Sequence, residues 1–148
     1  MKYVRKTKAD LTYVDIEEIR SLLEALEVDE REGYKEVGMP QYSQAWVREY
    51  SGNDLIVVID DEGSNKIIGL IDYHVNDNIC TMNELIVDSN YRRQGVAQEL
   101  YTNLKNYLTT YTWVDEVKLS VRANNDAIKF YKSIGFKTYQ IEMCCKLM

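Results

Sequence analysis

Six consecutive residues, Arg92-Arg93-Gln94-Gly95-Val96-Ala97, have the types and order of an anion-binding turn. They stand between an apolar stretch ending at Val87 and a long amphipathic one. The first N–H groups of a helix lack partners within it and lie at the positive end of its dipole, so an anion binds there. Glycine lets the backbone approach that anion without a Cβ in the way, and the two arginines add charge and donors. The segment has neither the Gly-Lys-Ser/Thr of a P-loop nor the three-glycine spacing of a Rossmann turn. Alone, it also fits an ordinary helix start with two solvated arginines. Asn124 and Tyr131 form a second pair. Seven residues are two helical turns, which brings both side chains to nearly one face. Taken singly, Asn124 is a good helix cap and Tyr131 an ordinary packing residue.

Other reactive side chains are sparse. His74 is the only histidine, falls at the end of a strand away from both motifs, and reads as a surface or packed residue. Cys80, Cys144 and Cys145 are odd in number and have no metal-ligand spacing. They read as reduced thiols that behave as small apolar residues, so no metal is expected.

Periodicity supplies the elements that must hold these residues. Tyr3 to Thr7 alternates as a first strand. Asp15 and Glu18 have capping-box spacing, and Ile16, Ile19, Leu22, Leu23 and Leu26 recur as one helical stripe, predicting a helix over 13–29. Pro40 opens a second helix with Trp46, Val47 and Tyr50 on its apolar side. Residues 55–59, 66–73 and 79–87 read as an antiparallel meander, its turns marked by Asp60 to Asn65 and by Asn76-Asp77-Asn78. Val96, Leu100, Leu104 and Leu108 then mark a long helix to about Tyr111. Val117, Leu119 and Val121 alternate as a fifth strand. Residues 124–133 form a short helix that ends at Gly135, and Phe136 to Leu147 gives one or two last strands. The expectation is one α+β domain over residues 1–148, with a mixed, mostly antiparallel sheet of six to seven strands and about four helices.

Composition narrows the partners. A net charge of −6 argues against nucleic acid, whose phosphates need a basic face, and suits a cationic small molecule or basic peptide. No apolar run approaches the ~20 residues of a membrane span, and no signal-peptide core follows the basic start, so a cytoplasmic protein is expected.

The stretch from Leu85 to Ala97 resembles the acetyl-CoA motif of the GNAT superfamily of N-acetyltransferases, Arg/Gln-x-x-Gly-x-Gly/Ala, with Arg92, Gly95 and Ala97 in its defined positions. Asn124-Asn125-Asp126-Ala127-Ile128-Lys129-Phe130-Tyr131, followed by Gly135-Phe136, resembles that superfamily's second signature. The resemblance spans about residues 54–148 and implies acetyl-CoA as cosubstrate. It implies that the backbone from Arg93 through Gln94, Gly95 and Val96 to Ala97 holds the CoA pyrophosphate, helped by Arg92. Leu85, Ile86 and Val87 would pair with the pantetheine arm where the fourth strand splays from the fifth, and Asn124 would contact that arm. The Leu85 N–H would polarise the thioester carbonyl, and Tyr131 would protonate the departing thiolate.

The proton acceptor departs from the pattern. Relatives carry Glu or His four or six residues before the position of Val87, where this chain has Asn83 and Thr81. Glu84 is the nearest carboxylate, but strand alternation turns it to the other face unless a bulge intervenes. The aromatics Tyr34, Tyr42, Trp46 and Tyr50 fall where relatives build an acceptor pocket, and Asp29, Glu30, Glu32 and Glu36 would favour a cationic acceptor. The resemblance therefore implies an N-acetyltransferase that moves an acetyl group to a primary amine of a small molecule or peptide by direct attack in a ternary complex. The alternative is a non-catalytic acyl-CoA sensor or regulatory module on the same fold. An exposed last strand would also allow a homodimer.

Overall fold

The computed structural model describes residues 1–33, 47, 49–123, 125–143, 145 and 147, without the side chains of 27 and 29–33. Among these residues five strands form one sheet in the order β1 (Lys2–Lys6), β2 (Asp54–Ile59), β3 (Ile67–Asn76), β4 (Ile79–Val87), β5 (Glu116–Leu119). The first four strands are antiparallel neighbours and β5 runs parallel to β4. The described helices are α1 (Tyr13–Gly33), α2 (Val96–Tyr111) and α3 (Ala127–Ser133). The α+β class and the mixed, mostly antiparallel sheet agree with the sequence reading.

Each face of the sheet buries one helix stripe. Ile19, Leu22 and Leu23 of α1 pack on Leu55, Val57, Leu70 and Ile86. On the other face Val96, Leu100, Leu104 and Leu108 of α2 meet Ile56, Val58, Ile71, Tyr73, Cys80 and Met82. Residues 55–58 and 67–73 are buried almost without interruption because helices cover both faces. Helix α1 is longer than its apolar period suggested, and its cap lies earlier. The Thr12 hydroxyl accepts the Asp15 N–H at 3.1 Å while Asp15 accepts the Thr12 N–H at 3.0 Å, so the reciprocal box is Thr12–Asp15 rather than Asp15–Glu18.

Two expectations need correction. Strand and helix counts among the described residues are five and three, against six to seven and about four. The shortfall in strands lies at the end of the chain, where residues 136–143, 145 and 147 carry no strand. Strand pairing needs a ladder and one buried face. Here Tyr139, Ile141 and Met143 are 74%, 75% and 90% exposed, and the Tyr139 ring lies 4.9 Å from the Lys118 ammonium of β5. A dimer formed through a last strand therefore has no described strand to carry it. The helix expected from Pro40 lies mostly outside the described residues, as do Tyr34, Glu36, Tyr42 and Trp46; Val47 and Glu49 are helical and Tyr50 follows them.

Candidate active site

The cleft arises from a short parallel pairing. β4 and β5 are paired only from Ile79↔Glu116 to Met82↔Leu119. Beyond Met82 they part, leaving a cavity of about 90 Å³ between Met82, Asn83, Glu84 and Leu85 on one wall and Leu119 to Arg122, Asn125 and Tyr131 on the other. The direction of the β4 amides follows from one hydrogen bond. The Asp88 N–H donates to the Ile68 carbonyl at 2.8 Å. Amides alternate in direction along a strand, so those of Ile86 and Glu84 also point to β3, while those of Val87 and Leu85 point towards the cleft. Ile86 itself is buried in the core on the α1 side.

A β-bulge sets the chemistry of that wall. Asp72 pairs with Glu84 but Tyr73 pairs with Met82, leaving Asn83 as the extra residue of β4. Before the bulge Cys80 and Met82 face α2; after it Leu85 and Val87 do. Asn83 and Glu84 consequently share the α1 face. The Asn83 amide donates to Asp72 on that face at 2.9 Å. Glu84, 7% exposed, lies close enough to Tyr50 for its charge to help hold the phenol protonated. The conditional bulge in the sequence reading is therefore present, and it brings both Asn83 and Glu84 to the cleft.

Behind them lies a network that sequence reasoning missed. Asp72 is 3% exposed and accepts from the Tyr50 hydroxyl at 3.0 Å, Asn83 at 2.9 Å and Asn53 at 3.2 Å. Burial lifts its carboxyl above the ordinary aspartate value, against the opposing pull of those donors and of His74. Burial, followed by the charges of Asp72 and Glu84, pushes the Tyr50 phenol far up, so it serves as a neutral donor. Arg20 of α1 grips the Tyr50 carbonyl with two N–H groups at 3.1 and 2.8 Å. The sequence signal was a lone carboxylate in the apolar run Ile67-Ile68-Gly69-Leu70-Ile71-Asp72-Tyr73. Of the aromatics expected at an acceptor pocket, Tyr50 alone lies among the described residues.

At the mouth, the turn from β4 to α2 has the geometry of an anion nest. Arg93 and Gly95 have φ of +61° and +78°, and Gly95 caps α2, which starts at Val96. A Cβ on Gly95 would meet nothing within 4 Å, so the space in front of the turn is open. Arg92 is pinned by its Nε–H to the Val87 carbonyl at 3.1 Å, and Tyr91 ties the turn to Asp60 at 2.6 Å. Arg93 and Gln94 are exposed, Val96 is buried in the α2 core and Ala97 is half-buried.

On the far wall α3 presents Tyr131. Gly135, at φ +107°, turns the chain so that Phe136 returns against Tyr131 with ring centroids 5.7 Å apart. Asn124 lies outside the described residues. Its neighbour Asn125 lines the cleft and caps the start of α3 by accepting the Ala127 N–H at 2.8 Å. Cys80 is wholly buried, its thiol pushed up to about 11 by burial, and Cys145 is exposed; Cys144 is outside the described residues. Among the described residues no cluster is arranged to hold a metal, and no helix is long and apolar enough to cross a membrane.

An open strand edge leading to an open, glycine-capped turn at a helix start fits an extended, phosphate-bearing acyl donor, which is the requirement of an acyl-CoA-dependent transferase. A family model described as an acetyltransferase (GNAT) domain matches residues 25–146, and the chain belongs to that family of acetyl-CoA-dependent acyltransferases. No curated protein matches the sequence. Solved structures of the same fold include a tetramutant of the BH1408 protein from Bacillus halodurans, at 18% identity and TM-score 0.74 over 99% of this chain and 100% of that one. An aminoglycoside acetyltransferase from an uncultured soil metagenomic sample, in complex with sisomicin, is 19% identical with TM-score 0.66 over 99% and 96% of the two chains. A GNAT-family acetyltransferase from Streptococcus pneumoniae is 19% identical with TM-score 0.62 over 98% of each. At these identities the likeness is one of fold.

Proposed function

We infer that the protein acetylates a primary amine of a small, cationic molecule or peptide, by direct attack of the amine on acetyl-CoA bound in the β4–β5 cleft. The observation that carries this reading is the bulge at Asn83, beside which Glu84, a carboxylate residue, lines the cleft together with Leu85 and Tyr131. The backbone nest from Arg93 through Gln94, Gly95 and Val96 to Ala97, with Arg92 and Arg93 beside it, would hold the pyrophosphate. The amides of Leu85 and Val87, with Ile86 between them, would receive the pantetheine arm, which Asn124 or the cleft-lining Asn125 would steady on the other wall.

An attacking nitrogen must be uncharged, whereas an alkylamine at neutral pH is an ammonium, with a reference value of about 10.4. Glu84 would attract that ammonium and take a proton from the nitrogen as the new bond forms. Asn83 is an amide and cannot serve as a base. The Leu85 N–H would stabilise charge on the carbonyl oxygen, a contribution of about 3 kcal/mol for one such donor. Tyr131 would supply the proton to the departing sulfur. The acidic balance of the chain and the fold shared with an aminoglycoside acetyltransferase support a cationic acceptor.

The test is release of CoA thiol over a panel of polyamines, aminoglycosides, amino acids and peptides. Turnover with at least one amine is expected. Tyr131→Phe should lower kcat by about 10²-fold with little change in KM for acetyl-CoA. Tight binding of acetyl-CoA with no turnover on any amine would instead establish the sensor alternative. Absence of a thermal shift with acetyl-CoA would sink the CoA reading altogether.

A further inference from the structure

Acetylation of an ammonium releases one net proton, and a carboxylate 7% exposed is poorly placed to hand it to water. An exposed group that touches the wall residue Asn83 is better placed. Alternation on β3 puts Leu70, Asp72 and His74 on one face, the α1 face that also carries Asn83 and Glu84. His74 is exposed, and its Nδ1 lies 2.9 Å from the Asn83 Oδ1. The Asn83 Nδ2 donates to the Asp72 Oδ1 at 2.9 Å.

With Asp72 ionised, this chain of contacts has one consistent assignment of protons. The Asp72 oxygens accept three donors and the carboxylate offers none, so Asn83 must present its NH₂ to Asp72. The Asn83 carbonyl oxygen then faces His74 and can only accept. In the neutral ring Nδ1 therefore carries the hydrogen and Nε2 carries the lone pair. Among the described residues no partner occupies Nε2. A buried acceptor that orients a second group, which in turn fixes an imidazole's tautomer, is the logic by which hydrolytic triads prepare a base.

We propose that His74 is a proton acceptor for the incoming amine, held in its Nδ1–H tautomer by Asn83 and Asp72, which act as positioning residues. The inference rests on the acetyltransferase reading above. His74 Nε2 takes one proton from the acceptor's ammonium and gives it to water. The freed nitrogen lone pair forms the C–N bond to the thioester carbon and the C–S bond breaks. Glu84 takes the second proton from that nitrogen and Tyr131 protonates the sulfur; the proton on Glu84 then passes across the cleft to the Tyr131 phenolate, which restores both groups. The net products are the amide, CoA thiol and one proton.

Because the chain has a single histidine, a long-range ¹H–¹⁵N spectrum of the imidazole needs no assignment. The wild type should show a hydrogen on Nδ1 and a bare Nε2, and Asn83→Leu should lose that preference. A wild-type ring protonated on Nε2 alone would overturn the proposal. In kinetics, His74→Gln should lower kcat by about 10²-fold while leaving KM for acetyl-CoA within about twofold, and added imidazole should restore part of the rate. Equal kcat for His74→Gln and wild type, in an enzyme that turns over, would refute the role of His74 and leave the transferase reading standing. A wild type that binds acetyl-CoA but acetylates no amine would remove both.

Discussion

Asp72 shows how one buried residue couples stability to the site. Its carboxyl titrates above the ordinary aspartate value because burial outweighs the three donors and His74. The folded chain therefore holds this proton to higher pH than the unfolded chain does. The stability it contributes is full below the ordinary value of about 3.9 and is lost as pH rises through the lifted one. Urea unfolding of the wild type and Asp72→Asn at a series of pH values checks this. The stability of the wild type relative to the variant should fall with rising pH in that window. A flat or rising difference would mean that the unfolded state does not bind fewer protons at Asp72. The carboxylate is nonetheless retained in an apolar strand, and its contacts explain the use. It fixes Tyr50 on one oxygen and Asn83 on the other, and Asn83 is the bulged residue beside Glu84.

At the scale of elements, the β4–α2 turn is where the sequence was most legible. A glycine between an apolar strand and a helix stripe marked a turn that a backbone-bound anion could approach closely, and Gly95 caps α2 there at φ +78°. Gly95→Ala places a side chain in that conformation at a cost of about 1–2 kcal/mol, or roughly 3–6 °C in Tm for a chain of this size. Since nothing lies within 4 Å of the new Cβ, no packing clash adds to the cost. The methyl group would instead enter the open space before the nest, so the Kd for acetyl-CoA should rise by about tenfold. Calorimetry and thermal unfolding measure the two effects separately, and unchanged affinity would count against pyrophosphate binding at this turn. The other elements were less legible for definite reasons. The bulge at Asn83 leaves the residue pattern of β4 unbroken, because Met82 and Leu85 read as apolar in either register. The network on Asp72 joins Tyr50, Asn53 and Asn83, up to 22 residues from it in sequence, and no local period records such contacts. The last residues alternate as a strand would, yet alternation cannot say whether a partner strand is present.

For the whole molecule, opposed electrostatic demands meet in one cleft. The net charge is −6, yet the donor is polyanionic and its expected seat is marked by Arg92 and Arg93. Local charge therefore has to overcome the overall field on the donor side, while on the acceptor side the overall field and Glu84 work together. Salt separates these contributions, because the Debye length shrinks from about 30 Å at 0.01 M to about 10 Å at 0.1 M. Attraction of a distant cation is screened in that range, and contacts within the nest are screened much less. The value of kcat/KM for a dicationic acceptor should then fall by about threefold from 0.01 to 0.1 M salt, through KM rather than kcat. A monocationic acceptor should lose less, and KM for acetyl-CoA should stay level or decrease as repulsion from the acidic surface is screened. Steady-state kinetics with both acceptors across this range tests the argument. Parallel salt dependences for the two acceptors would show that the chain's acidity serves solubility and has no part in choosing the amine.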